Sequence, residues 1–307
     1  MLDTVPAHAL SVQALQRLYL AHAEVYYRRR SGEPTREHLN VRAVLDRFAR
    51  HVGPSMPADR MNRHQVRAWL DQLAAEQLTR SYINACLARL RRVVRWAVDL
   101  DYLPASIDSE LRCVRPLPAH RSAAREPQPV QAAPLDHVRQ VLPFLPRLAR
   151  DVVQLLMLTG ARVGELLDAP NSALHVDRAG ARLILAQHKN AHRNRSRVIP
   201  LNAAALAIIE RHARPLCPID PILAPPRRGS RRYSPDALRN AITRACRRAG
   251  VAPFTPHQVR HAVAAHVRDA RGLDAACALL GHAHVSMTEH YAPLAFEHAR
   301  QGAEVLQ

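Results

Sequence analysis

Apolar residues in this chain recur at helical spacing over most of its length, and one short stretch departs from that period. Val41, Val44, Leu45, Phe48 and Val52 share one face of a helix, and Val66, Leu70 and Leu73 mark another after Asn62. A third helix begins near Thr79, with Ile83, Leu87, Leu90, Val94 and Ala97 as its stripe. Around position 190 the period changes. Arg182-Leu-Ile-Leu-Ala and Arg197-Val-Ile-Pro-Leu are short apolar runs, and the connection between them carries the turn-tolerant Asn190 and Asn194. That is the pattern of two antiparallel strands. Helical spacing then resumes. The expectation is a mainly α fold with one small antiparallel β-sheet.

Prolines and glycines divide this pattern into parts. Between Arg115 and Leu135 periodicity fades and Pro116, Pro118, Pro127, Pro129 and Pro134 accumulate, as in a semi-extended linker. With 307 residues to distribute, the chain is expected to form two domains. They are a helical domain over 1–114 and a mixed domain over 136–307, joined by a linker over 115–135. The lead before Val12 leaves little room for a further N-terminal domain. In the second domain Gly160 ends one helix, and Ser234-Pro235 opens another that Gly250 closes. Thr255-Pro256-His257-Gln258 has the makings of a capping box with proline at the first helical position.

Charge narrows the partners. The formal net charge is +18, with arginines spread along the chain, which implies a polyanion such as a nucleic-acid backbone. Arg80, Asn84, Arg91 and Arg95 lie off the apolar stripe of their helix and are candidates to meet phosphates; a solvated polar face is the ordinary alternative. Five scattered cysteines without a CxxC pair read as reduced thiols. No apolar run approaches membrane-spanning length, and no signal peptide opens the chain. A cytoplasmic protein of a bacterial cell interior, associated with the nucleoid, is the expectation. The 18 histidines include neither HExxH nor paired ligands at zinc spacing, so no metal and no cofactor are expected.

Only one of the 44 Lys and Arg residues is a lysine, Lys189. Arginine does not give up its proton near neutral pH, whereas a lysine can be tuned to do so. A stray lysine on a surface loop is the bland reading, but position argues for a catalytic acid. Lys189 lies on the hairpin connection, between Arg162 with Glu165 on one side and His257 with Arg260 on the other. Three residues apart at a helix start, His257 and Arg260 suit a phosphate that is both held and protonated. Beyond them come His282, after Leu280-Gly281, and Tyr291, in a helix that Ser286 and Glu289 would cap. A lone helical tyrosine is ordinarily a packing residue; its company here suggests otherwise.

These residues carry a resemblance. Thr159-Gly-Ala-Arg162-Val-Gly-Glu165-Leu, Thr255-Pro-His257-Gln-Val-Arg260-His261, and Leu280-Gly-His282 with Tyr291 nine residues beyond make the chain similar, over essentially its full length, to the tyrosine recombinases, the phage-integrase family of site-specific DNA recombinases. The resemblance implies an N-terminal helical core-binding domain of SAM-like type and a mixed α/β catalytic domain. It also implies a DNA-breaking and DNA-joining enzyme that needs neither metal nor ATP. Its partners would be double-stranded DNA and further copies of itself, as a dimer on each site and a tetramer in the synapse. By this resemblance Tyr291 is the nucleophile, Arg162 and Arg260 clamp the phosphate, and Lys189 protonates the leaving oxygen. His257 handles the other proton, His282 donates to the phosphate, and Glu165 buttresses the site. A type IB topoisomerase shares this chemistry, and an integrase-derived DNA-binding regulator or a basic RNA-binding module could share the charge. Retention of all six catalytic residue types argues against the regulator, and the RNA-binding module leaves the caps and spacing unexplained.

Overall fold

The structure, a computed structural model, describes residues 10–28, 32, 34–128, 130–185, 197–225, 233–281, 300 and 302–306. Lys189, His282 and Tyr291, and the expected cap at Ser286 and Glu289, therefore lie outside the described residues. The chain divides into two compact units, Met1–Pro129 and Val130–Gln307.

Five helices build the first unit: α1 (Val12–Tyr26), α2 (Glu37–Val52), α3 (Arg63–Ala75), α4 (Arg80–Asp99) and α5 (Ala105–Arg112). Their starts are written locally. The Ser11 hydroxyl accepts from Ala14 N at 3.1 Å. Asn62 accepts from Gln65 N at 3.1 Å while Gln65 Oε1 accepts from Asn62 N at 3.1 Å, the reciprocal cap that satisfies two otherwise orphaned donors. The apolar stripes face a single core: Val41, Val44, Leu45 and Phe48 of α2, Val66, Leu70 and Leu73 of α3, and the whole expected stripe of α4 are buried there. Val52 packs only at the margin. Phe48 meets Trp69 edge-on at 5.1 Å between ring centroids, and truncating either to alanine would cost about 3–5 kcal/mol.

The proline-rich strap differs from the expected linker. Leu117 and Ala124 belong to the first unit's core. Asn84 grips Leu117 by two bonds, donating Nδ2 to its carbonyl at 3.0 Å and accepting its N–H at 2.8 Å. Glu126 takes the Arg80 Nε–H at 2.9 Å. On the far side Ala133 is buried in the second unit and donates to the Gln258 carbonyl at 3.1 Å. The connection thus contracts to the stretch between Glu126 and Ala133. Prolines lowered the periodic signal of 115–125 without preventing two of its small apolar side chains from docking.

The second unit contains α6 (Leu135–Val141), α7 (Arg147–Thr159), α8 (Val163–Leu167), β1 (Leu174–Asp177), β2 (Gly180–Leu185), β3 (Arg197–Leu201), α9 (Ala203–Glu210), α10 (Pro235–Ala249) and α11 (Pro256–Leu280). The sheet is antiparallel in the order β1-β2-β3, with Leu183 opposite Ile199 and Leu185 opposite Arg197. The β2–β3 pair is the one expected. Strand β1 was not, because Leu174-His-Val-Asp is short, and three of its four residues are exposed. Buried Asp151 of α7 accepts from Arg211 Nη2 at 2.9 Å and from the His212 ring at 2.7 Å, pinning α7 to the end of α9. No helix among the described residues is long and apolar enough to cross a membrane.

Helix α11 is interrupted. Gly272 has φ +88° and ψ 170°, outside helical space. A straight helix would put the twenty residues from Arg260 to Leu280 about 30 Å apart, yet Arg260 Nη2 donates to the Leu280 carbonyl at 2.8 Å. The chain reverses at Gly272, which brings the end of α11 back to its beginning.

Gly160, which closes α7 in the left-handed region at φ +60°, stands at the centre of this arrangement. A Cβ there would lie 3.0 Å from both Leu280 Cδ2 and Val263 Cγ1. Gly160→Ala combines left-handed strain with overpacking and should cost roughly 2–4 kcal/mol, read as a lowered urea midpoint at constant slope. An unchanged midpoint would show that the close approach of α7 and α11 is looser than these distances state.

Candidate active site

The described part of the site is assembled from three places in the second unit: the turn from α7 into α8, the first residue of β3, and the two ends of α11. Arg162 precedes α8 with an extended backbone (φ −72°, ψ 143°). Its N–H donates to Glu165 Oε2 at 2.9 Å and its Nη1 to Glu165 Oε1 at 2.7 Å. One carboxylate therefore holds both the backbone and the head group of Arg162, through charge-assisted bonds. About a third of the Arg162 side chain remains exposed (32%) while the Glu165 side chain is buried (5%). The arginine can still reach a ligand and the glutamate cannot.

Arg260, in the second turn of α11, is 4% exposed. Besides its bond to Leu280, it donates Nη1 to the Gly160 carbonyl at 2.7 Å. The guanidinium thus links the end of α7, the start of α11 and the end of α11. Burial, with the nearby positive charges of Arg162 and Arg197 adding to it and Glu165 opposing, pushes its pKa down to about 10. It remains cationic at neutral pH.

Sequence reasoning missed Arg197. It opens β3 and is buried at 5% exposure. Its Nη2 donates to the Leu279 carbonyl at 2.6 Å, its Nη1 to the Val198 carbonyl at 2.9 Å, and its Nε lies 3.6 Å from Glu165 Oε2. Burial lowers its pKa, and Glu165 works against that. The signal was present: Arg197 is in phase with Ile199 and Leu201 on the strand's buried face, and a charge written into that alternation must be paired inside. For Glu165, burial alone would raise the carboxyl, but Arg197 and Arg162 together hold it below its ordinary value.

His257 sits in the first turn of α11 behind the expected cap, in which Gln258 Oε1 accepts from Thr255 N at 2.9 Å. Its ring meets that of His261 edge-on at 4.5 Å. Partial burial, His261, Arg260 and Arg162 all lower its pKa, so at pH 7 the imidazole is neutral and can accept a proton. Arg162, Glu165, His257 and Arg260 are thus brought together, with Arg197 added. Among the described residues three guanidiniums, Arg162, Arg197 and Arg260, interact with the carboxylate of Glu165. Such a site is short of negative charge and suits an anion. Among the described residues no group of three or more His, Cys, Asp or Glu side chains could hold a metal ion.

The candidates on α4 fare differently. Asn84 is committed to Leu117, as above. Arg91 donates Nε to the Leu111 carbonyl at 3.0 Å and Nη2 to the carbonyls of Arg112 and Val114, capping the end of α5. Arg80 is committed to Glu126. Asn84 and Arg91 thus bond to the chain's own carbonyls. Arg95 is exposed.

Known proteins resemble this chain over much of its length. The chain is 31% identical over 175 residues to the tyrosine recombinase XerA of Pyrococcus horikoshii, spanning 55% of this chain and 59% of that protein. It is 26% identical over 263 residues to XerC of Alcanivorax borkumensis, spanning 82% of each. Among solved structures, a lambda integrase (residues 75–356) dimer bound to a COC′ core site superposes with a TM-score of 0.65 at 18% identity, covering 94% of this chain and 95% of that one. At that identity the likeness establishes the fold. Residues 136–298, just over half of the chain, match the family model described as the phage integrase family. The chain belongs to the phage integrase family, the tyrosine recombinases.

Proposed function

We propose that the chain is a site-specific DNA recombinase that cuts and rejoins strands through a 3′-phosphotyrosyl intermediate. The observation that carries this reading is the set of guanidiniums gathered around Glu165 among the described residues, at the end of the helix that begins beside His257. A phosphodiester under attack gathers negative charge on its nonbridging oxygens. Arg162 and Arg260, with forked donors already oriented by Glu165 and by the Gly160 and Leu280 carbonyls, are arranged to receive it.

In the cleavage step the Tyr291 oxygen bonds to phosphorus, the bond to the 5′-oxygen breaks, and the tyrosine proton passes to His257. Lys189 supplies a proton to the departing 5′-oxygen, and His282 donates to the phosphate. Rejoining runs the same step backwards, with the 5′-hydroxyl as nucleophile. The phosphotyrosyl bond conserves the energy of the broken linkage, so ATP is not consumed. Double-stranded DNA is the partner, with a dimer on each site and a tetramer in the synapse. Solved relatives of this fold include a lambda integrase dimer on a core site and a tetramer bound to a Holliday junction. Work on DNA places the protein in the cytoplasm, at the nucleoid.

Three measurements test the assignments. Tyr291→Phe should abolish the covalent adduct with a nicked suicide substrate while DNA affinity persists, since only the nucleophilic oxygen is lost; an adduct that survives would remove Tyr291 from the mechanism. Lys189→Arg keeps the charge but withholds the proton, and should slow cleavage by ~10²–10⁴-fold. A substrate with a 5′-bridging sulfur, whose thiolate leaves without protonation, should recover most of that loss. Near-normal cleavage of ordinary DNA by Lys189→Arg would overturn the acid assignment.

The third concerns pH. His257 is held below its ordinary value of 6.5, so its accepting form dominates at pH 7 and is lost only as the pH falls beneath that value. The single-turnover rate should therefore be level from neutrality downward until the solution is clearly acidic, then drop. Replacement by glutamine should lower the plateau and remove this limb. A wild-type profile already falling between pH 8 and pH 7 would contradict the role.

A further inference from the structure

The recombination mechanism leaves one buried cation without a task. Arg197 touches no position assigned to DNA, yet it is among the most enclosed charges of the second unit. We propose that Arg197 is a positioning residue of the recombination site, tying the carboxylate that holds Arg162 to the end of the helix from which the Tyr291 segment departs. This inference rests on the recombinase reading above.

Three contacts carry it. Toward α8, Nε lies 3.6 Å from Glu165 Oε2, on the carboxylate whose two oxygens also hold Arg162. Toward α11, Nη2 donates to the Leu279 carbonyl at 2.6 Å, two residues before the helix ends. The third contact is steric. Gly281 closes α11 in the left-handed region at φ +63°, and a Cβ there would lie 2.7 Å from Arg197 Nη1 and 3.0 Å from Cζ. The final turn of α11 can approach the guanidinium this closely because Gly281 has no side chain.

Chain order gives the contacts their meaning. Arg197 opens β3 eight residues after Lys189 in the sequence, and Gly281 ends α11 directly before His282. One planar group therefore joins the start of β3 and the end of α11 to Glu165. The guanidinium donates to the carbonyls of Val198 and Leu279 and keeps Nε at ion-pair distance from Glu165, a spread wider than the three donors of one ammonium nitrogen cover. An apolar residue would have met the packing demand of β3 with less desolvation cost. A stability role alone therefore does not account for arginine here.

The consequence falls on attack and phosphate clamping, not on protonation of the leaving group. Arg197→Met and Arg197→Lys are compared with the wild-type chain in single-turnover adduct formation at saturating DNA, on ordinary and 5′-bridging-sulfur substrates, with DNA affinity measured in parallel. Arg197→Met should slow adduct formation roughly 10–100-fold, the effect of a displacement of about 1 Å at a reacting group. DNA affinity should be unchanged, and the sulfur substrate should be slowed by the same factor. Arg197→Lys, which keeps a cation beside Glu165, should recover part of the loss. It also decides the matter if the methionine variant does not fold, since a wild-type rate in the lysine variant overturns the proposal.

Gly281→Ala supplies a second route to the same group. It should slow the wild-type chain by a larger factor than it slows Arg197→Met, where the guanidinium it would displace is gone; equal factors would count against the proposal. A wild-type rate in a folded Arg197→Met overturns it, as does full rescue by the sulfur substrate, which would assign Arg197 to the Lys189 segment alone. If the wild-type chain itself forms no adduct, the recombinase reading fails and takes this inference with it. An adduct in the wild type with no effect at Arg197 removes the inference only.

Discussion

The buried carboxylate of Glu165 is the interaction on which the second unit's chemistry depends. Alone, a carboxyl at that depth would take up a proton. Arg162 and Arg197 keep it charged, and its charge in turn lets Arg197 be buried and fixes the head of Arg162. Each member makes the others tolerable. Removing one partner of such an arrangement leaves an uncompensated buried charge, which costs about 3–5 kcal/mol. Fixed donors that need no reorganisation when charge develops are what a phosphate-transfer site requires.

The second constraint is the reversal at Gly272. Helices place neighbours three and four residues apart side by side, but Arg260 and Leu280 are too distant in sequence to meet on one straight helix. Breaking α11 with a glycine at φ +88° lets one arginine bond to both the end of α7 and the end of α11. The close approach at Gly160 and the contact at Gly281 depend on that same return. Three glycines, each at positive φ, thus shape the surroundings of Arg197 and Arg260.

Most of the architecture was legible because it follows local rules. Reciprocal caps at Asn62 and Thr255, glycine stops at Gly160, Gly250 and Gly281, and the in-phase runs of β2 and β3 are each decided within a few residues. What sequence reasoning missed is decided at a distance. Strand β1 is held by pairing with β2 and has little apolar alternation of its own. Leu117 docks through Asn84, 33 residues away, so composition alone read its segment as linker. Arg197 went unnoticed because its partners, Glu165 and Leu279, are remote in sequence, although its phase on the strand already announced a buried charge. Of the site, Arg162, Glu165, His257 and Arg260 do converge as their motifs suggested; Lys189, His282 and Tyr291 rest on the sequence pattern.

The composition also reads differently once the arginines are placed. A charge of +18 suggests a surface given over to phosphates, yet many guanidiniums point inward to the chain. Arg91 caps α5, Arg150 takes the carbonyls of Leu142, Pro143 and Leu145, and Arg197 and Arg260 close the ends of α7 and α11. These positions need several donors spread in a plane, which arginine has and lysine lacks. These arginines therefore hold the fold together while they carry charge. The same chemistry separates arginine from lysine. Where the task is to hold carbonyls, carboxylates or phosphate oxygens, arginine is the better cation; where a proton must leave at neutral pH, arginine cannot serve. The proposal that Lys189 is the proton donor rests on this difference between the two side chains.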